Sequence, residues 1–479
     1  MLFPIQNTNY RSSTSLCQLF SNNGYIGVHH DCYPHMVGDS TSDTRKEQNR
    51  PSTETRDLLA DVWQFPLFEA LFGRRARRFA FGVGIPDGPL QYESERDPLS
   101  LTDVEQSLLI ASAVGISGWH FGIPYTENEP GLSTYAVRFT GRPTPTAAGI
   151  GTVDLFYTDD DGTYFVTTRD VEASSATQGQ TVDDVEDLLT VCQAHTTTLS
   201  EERLDIPREP PHIAEHNWWN ANVAGSTLFM PVADTGQQLL ALLMLLGRNG
   251  IVLYDDRADR YAGELDVYFD SGLLDPERKY PLTEMEQTVL AMNAIELGIM
   301  GHNMVLSLQA LGLGGWLFTG MNPLSIMGAF ADEGVPGLGF RFRRDDDWTS
   351  PNPIGLDEHY ESVCPPYYPD MHAATENMVE KKFGAGGSYD PAAAGPYSSD
   401  VTATAETYPE AFVEAVGEMA QYVYDTYGRF PATVPTIFMT PLVQAHHLDT
   451  DYYDAHFGPE SYLDTHAAHV EQWHPDEVS

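Results

Sequence analysis

Residues Gln287–Met321 read QTVLAMNAIELGIMGHNMVLSLQALGLGGWLFTGM, and this run decides the fold. Apolar and small residues fill nearly every side, which an interior helix tolerates and a surface helix does not. Thr283 and Glu286 stand just upstream at capping-box spacing. The helix is expected to start there, with the Thr oxygen taking a first-turn N–H and the Glu reaching back. Gly312, Gly314 and Gly315 end the periodicity and allow backbone conformations that bring a flat ligand close. A long central helix closing on a glycine corner is therefore the expected hub.

Upstream of the hub, residues 227–233 (TLFMPVA) read as a strand, 236–247 as a helix, and 250–256 and 265–270 as further strands. Downstream, 335–344 (VPGLGFRFRR) reads as a last strand carrying Arg341, Arg343 and Arg344, with Asp345, Asp346 and Asp347 at hand as partners. Nearer the N-terminus a helix is expected from Arg56 through Leu71, leading into GRRARRF (73–79). Arg74, Arg75, Arg77 and Arg78 fall within five positions there. A cluster of planar guanidinium forks suits a phosphate dianion, the plainer alternative being pairs with acidic surface. Thr102 and Glu105 repeat the capping box before a second amphipathic helix. From Tyr135 the period becomes two. A strand (YAVRFTGRP), the loop PTPTAAG (143–149) and a hairpin turning at Asp159–Gly162 are expected, since Asp-Gly between alternating segments is a hairpin signal. Asp184–Ala194 reads as helical, and His195 as a satisfied polar residue.

Charge sets further bounds. The 479 residues carry 69 acidic against 26 basic side chains, a net of −43, and the only lysines are Lys46, Lys279, Lys381 and Lys382. Such a surface repels itself unless cations screen it. The acidic, lysine-poor pattern resembles cytoplasmic proteins of salt-accumulating halophilic archaea, so a halophilic, cytoplasmic protein is expected. No basic stripe is present to neutralise phosphates, which argues against nucleic acid as a partner. Four cysteines without regular spacing form no disulfide framework. The run Leu239–Leu246 is too short to span a bilayer, and no membrane association is expected.

The two ends differ from the middle. Residues 1–35 hold one acid (Asp31) and one base (Arg11), unlike the rest, and lack a secretory signal. Met36 is an alternative start, and 1–55 reads as a disordered leader. His29, His30, Cys32 and His35 have metal-compatible spacing there, with a leader segment as the plainer reading. At the other end, 351–479 reads as a His- and Tyr-rich extension. His446, His447, His456, His466, His469 and His474 crowd together with Asp449, Asp451, Asp454 and Asp464. His466 and His469 would share a helix face, and histidine with carboxylate would suit Zn or non-haem Fe. No helical metalloenzyme motif accompanies them, so no metal ligands are assigned. The segment is expected to wrap the main domain or roof its pocket, with a helix at Pro409–Tyr427.

The order of these features resembles the nitroreductase superfamily, and most nearly its SagB-type dehydrogenases. GRPTPTAAGIGTVDLFY (141–157) is similar to that branch's R-x-x-P-S-x-G loop and strand, with Thr146 at the Ser position. NMVLSLQALGLGGWLFTG (303–320) is similar to the superfamily's Q-N-x-x-L-A-A-x-x-L-G-L-G stretch. The likeness spans about residues 70–345 and implies an α+β three-layer sandwich, with a mainly antiparallel sheet around the long helix. It implies FMN at a homodimer interface. Arg74, Arg75, Arg77, Arg78 and Arg341 or Arg343 would hold the phosphate. Thr146, Ala147 and Gly149 would lie along the isoalloxazine, Thr319 and Gly320 would meet its N5/O4 edge, and Asn303 and Gly314 complete the set. The flavin would carry hydride, so no catalytic acid or base is required. The expected domains are the 1–55 leader, a 56–350 flavin domain and the 351–479 extension. The expected function is an FMN-dependent oxidoreductase acting on a small or peptide-derived substrate, with NAD(P)H as a candidate partner. The rivals are a metal-dependent enzyme on the C-terminal histidines and a non-catalytic scaffold.

Overall fold

The computed structural model describes residues 53–118, 137–171, 190–390, 392, 405 and 407–477. Residues 1–52, with His29, His30, Cys32 and His35, lie outside the described residues, as does most of the helix expected at 184–194. The central sheet holds β1 (Val153–Thr158), β2 (Thr163–Val166), β3 (Thr196–Ser200), β4 (Thr227–Asp234), β5 (Gly314–Phe318), β6 (Ile437–Phe438) and β7 (Leu442–His446). Its order is β5-β7-β4-β1-β2-β3, with β6 beside β4, and its pairings are antiparallel. The helices that matter below are α1 (Thr53–Gln64), α2 (Leu67–Gly73), α3 (Asp103–Val114), α4 (Thr235–Gly247), α5 (Leu282–Leu311), α6 (Met371–Phe383), α7 (Glu410–Tyr427) and α8 (Asp464–Trp473). An antiparallel sheet packed against helices makes this an α+β fold.

Side chains alternate across the sheet as a period of two requires. Val153, Leu155 and Tyr157 of β1, with Phe229 and Ala233 of β4, meet α3 and the Leu297–Leu311 half of α5. Phe156, Met230 and Val232 face the other way, onto Trp316, Phe340 and Tyr360. A third cluster gathers α4, α6, α7 and the first turns of α5. At the β1–β2 turn, Asp159 Oδ1 accepts the N–H groups of Asp161 and Gly162 at 2.9 and 3.0 Å, which fixes the hairpin where the sequence placed it.

The long helix forms and stops at Gly312, which takes φ +76° as its left-handed C-cap. Its start differs from expectation. With Pro281 at the N-cap, Glu286 lies two positions past the place from which a capping box reaches back, and Asp256 Oδ1 accepts from Thr283 N at 3.0 Å instead. Glu286 is fully buried and accepts from Ala432 N (2.5 Å), Thr433 N (2.7 Å) and the Thr433 hydroxyl. Nor is α5 covered on every side, because Ile295 is 63% exposed and Ala291, Ala294 and His302 share that open face. By length and composition α5 could cross a membrane, a test that core helices of water-soluble folds also pass. Here it carries buried Glu286, Asn293 and Glu296 and packs against α3, α4 and the sheet.

Other expectations are corrected. Pro66 breaks the 56–71 helix into α1 and α2, because proline disfavours helix in the residue before it. Residues 137–142 form no strand; Gly141 exchanges backbone bonds with Ser117 and Gly118 (2.9 and 2.7 Å). Asp266–Asp270 is a helical turn, and only Arg341–Arg343 of 335–344 is a strand. The C-terminal stretch is more than a wrap. Strand β7 lies inside the central sheet between β5 and β4, so residues beyond 350 build part of the same core.

Candidate functional site

The 143–149 loop is pinned between two helices. Thr144 Oγ1 donates to Ala113 O at the end of α3 (2.8 Å), and Asn303 Nδ2 of α5 donates to Pro143 O (3.3 Å). Ala147–Gly149 then makes a tight turn, and Gly149 and Gly151 take φ +64° and +62°, which a side chain would strain. The loop bounds a cavity of about 300 Å³ that Thr146, Gly149, Arg138, Arg142 and Arg169 help to line. Of the residues grouped by sequence, Asn303, Thr146, Ala147 and Gly149 are thus brought together.

The cavity is rich in donors. Arg138 donates to Asp170 Oδ1 (2.6 Å) and to the carbonyls of Ile150 and Gly151 (3.3 and 3.1 Å). Arg169 pairs with buried Asp154 at 2.8 Å. Arg142 bonds uncharged oxygens, Val153 O at 2.7 Å and Thr168 Oγ1 at 2.8 Å. Among the described residues, three buried atoms of this lining have no partner, namely Arg138 Nη2, Arg142 Nε and Thr146 Oγ1. Each such group costs about 1–3 kcal/mol, so three on one cavity mark a place for a ligand rich in acceptors. Electrostatics agree. Burial pushes the Glu296 carboxyl up to about 8, against the pull of Arg142 and with the push of Asp154. Near neutral pH it therefore keeps its proton, and Asp154 is the acid that still acts on Arg142. Burial lowers Arg142 itself and raises Asp154.

The arginine cluster opens on another cavity, about 560 Å³, lined by Arg75, Arg77, Arg78, Phe79, Trp219, Tyr452, Tyr453 and Phe457 among others. The two cavities share no lining residue. Arg77 is spent internally, on Gln309 Oε1 (2.7 Å), Ser461 O (3.0 Å) and Gly73 O (3.0 Å), and burial lowers it to about 10. Arg75 folds back onto Phe72 O and Arg74 O. Arg78 is half-buried on the cavity wall, while Arg74 lies outside the lining. Gly314 lets His446 approach, since a Cβ there would sit 2.7 Å from His446 Nε2. Thr319 is exposed, and Gly320 abuts the Asn217 amide, a neighbour not anticipated from sequence. Arg341 and Arg343 line neither cavity. Arg341 pairs with Asp357 at 3.2 Å, and Arg343 donates to the Tyr424 hydroxyl and lies 5.0 Å over its ring.

The C-terminal histidines divide. His447, His469 and His474 converge on Glu105 of the α3 capping box, all four with ligand atoms within 4.8 Å of one another. His446 and His466 are buried outside that group, each pushed down to about 3 by burial. The aspartates do not join. Asp449 caps the Thr450–His456 helix, Asp451 pairs with Arg96 at 3.7 Å and Asp454 accepts from Tyr462.

No family model matches the chain, and no curated protein matches it. Among solved structures it is similar to a "putative nitroreductase" of Ralstonia eutropha JMP134, at 13% identity and a TM-score of 0.25, over 54% of this chain and 71% of that one.

Proposed function

We propose that this chain is a flavin-dependent oxidoreductase of nitroreductase-like, three-layer architecture, binding FMN at a homodimer interface. The observation that carries the reading is the 143–151 cavity, where Thr146 Oγ1, Arg142 Nε and Arg138 Nη2 are buried without partners beneath a glycine turn. A flavin's carbonyl and ring-nitrogen edge offers the acceptors these groups lack. When bound, the flavin supplies two-electron hydride transfer. Thr146, Arg142 and Arg138 would orient its polar edge, and Arg75 and Arg78 would meet its phosphate. In this reading one copy supplies the 143–151 cavity and the other supplies Arg75 and Arg78. The exposed apolar face of α5 around Ile295, with Leu317 at 40% exposed, supports such an interface. The finer form of this reading is a SagB-type oxidation of a peptide-derived ring, with an electron acceptor to take up the two electrons, or the opposite direction, reduction of a small organic substrate with NAD(P)H as donor, in a cytoplasmic, high-salt setting.

The test is a fluorescence titration of FMN and of riboflavin with the protein in molar KCl. FMN should be quenched and bind at least about ten-fold tighter than riboflavin, a difference of about 1.4 kcal/mol from charge-assisted bonds to the phosphate. Equal affinities would remove Arg75 and Arg78 from the site. No quenching of either would remove the flavin.

A further inference from the structure

The buried cluster of Glu105, His447, His469 and His474 is used by nothing described so far. Glu105 is 0% exposed, His447 and His469 are each 1%, and His474 is 9%. Its contacts are close. Glu105 Oε1 lies 3.1 Å from His469 Nε2, Glu105 Oε2 lies 3.3 Å from His474 Nε2, and His447 Nδ1 lies 3.0 Å from His469 Nε2.

The outward-facing ring atoms decide what these contacts mean. His447 Nε2 meets the Ser100 carbonyl at 3.2 Å, and His469 Nδ1 meets the Leu311 carbonyl at 2.7 Å. A carbonyl can only accept, so each of those nitrogens carries the hydrogen. The inward atoms, His447 Nδ1 and His469 Nε2, are then bare lone pairs facing each other and a carboxylate. Glu105 is held in turn, because its Oε2 accepts from Thr102 N and Thr102 Oγ1 at 2.7 and 2.8 Å. Three acceptors, His447 Nδ1, His469 Nε2 and Glu105 Oε1, converge here, and His474 Nε2 completes the group 3.3 Å from Glu105 Oε2. Such an arrangement calls for a cation.

The geometry points to a structural transition-metal site, of the Zn²⁺ class, ligated by Glu105, His447 Nδ1, His469 Nε2 and His474 Nε2. Bonds of about 2.0–2.1 Å in a tetrahedron set neighbouring ligand atoms about 3.3 Å apart, close to the 3.0–3.3 Å of the three pairs above, while the remaining separations, within 4.8 Å, draw in when the ion binds. Histidine ligands commonly give their second N–H to a backbone carbonyl, as His447 and His469 do here. Four protein ligands close the coordination shell, which marks a structural rather than a catalytic centre. None of the four lines either cavity described above. The ion would join the first turn of α3, the chain just beyond β7, and α8 with the residue after it, beside the last turn of α5. The C-terminal segment would thereby be locked to the core it helps to build.

The test uses full-length protein purified without a metal-affinity step, in molar KCl. Mass-spectrometric metal analysis should find about one Zn²⁺ per chain. Stripped protein given Co²⁺ should show the visible bands of tetrahedral cobalt. Glu105→Gln keeps an oxygen for the capping box, and it and His474→Gln should each weaken Co²⁺ binding at least about ten-fold at unchanged far-UV circular dichroism. Should Glu105→Gln misfold, His474→Gln and the wild-type cobalt spectrum still decide. Folded wild-type protein that carries no metal and takes up no Co²⁺ would overturn the proposal and leave a proton as the shared cation. Metal held equally by both variants, with an octahedral spectrum, would also overturn it, by placing the ion on the acidic surface. These readouts do not depend on flavin, so either proposal can fail alone.

Discussion

Glu296 offers a sharp test of the electrostatics behind the cavity. It is 2% exposed, one of its oxygens has no partner, and burial raises its carboxyl from 4.5 to about 8. The folded state therefore holds this proton more tightly than the unfolded chain does. The stabilisation is fully present below the unfolded value and is lost as pH rises through the folded one. At about 1.4 kcal/mol per pH unit, the loss between 4.5 and about 8 amounts to about 5 kcal/mol. Glu296→Gln keeps the neutral shape and cannot ionise. Urea unfolding in molar KCl should give wild type and variant similar stabilities near about pH 5. By about pH 9 the variant should be the more stable by several kcal/mol. Other titrating groups, such as Asp234, which burial raises to about 6, occur in both proteins and largely cancel in the difference. Parallel stability curves across that range would refute the claim that Glu296 keeps its proton near neutral pH.

Thr146→Val removes a hydroxyl that has no partner among the described residues, so the melting temperature should hold or rise while FMN affinity falls about ten-fold by titration; an unchanged affinity would take Thr146 out of the site. Ile295→Glu places a charge on the open face of α5 and should convert a dimer to monomer by light scattering, with loss of flavin. A variant that stays dimeric would move the interface elsewhere. Glu286→Ala strips three donors at 432–433 of their acceptor and should cost about 3 kcal/mol in thermal unfolding, against nearly nothing if Glu286 were only an N-terminal helix residue.

What the chain disclosed beforehand follows from the range of the forces involved. The end of α5 at Gly312, the β1–β2 hairpin, α4 and α7 were legible because periodicity and turn chemistry act over a few residues. The open face of α5 was hidden because its apolar residues look alike whether covered or bare. Strand β7, LVQAH, carries no alternation of its own and becomes a strand by lying between β5 and β4. Glu105 fitted a capping box and does form one, yet that spacing is silent about its other oxygen, which meets histidines more than 360 positions on. Arg341 and Arg343 were grouped with a phosphate by their charge, whereas Asp357 and Tyr424 reach them first. The meeting of Asn303 with the 143–149 loop was suggested by family resemblance alone, as contacts across 160 positions must be.

The central claim is the flavin, and an absorption spectrum of the protein purified in molar KCl tests it most directly, with the released chromophore identified after denaturation. The account predicts flavin bands near one FMN per chain, restored on adding FMN to stripped protein. A colourless, folded protein that takes up no FMN would contradict it.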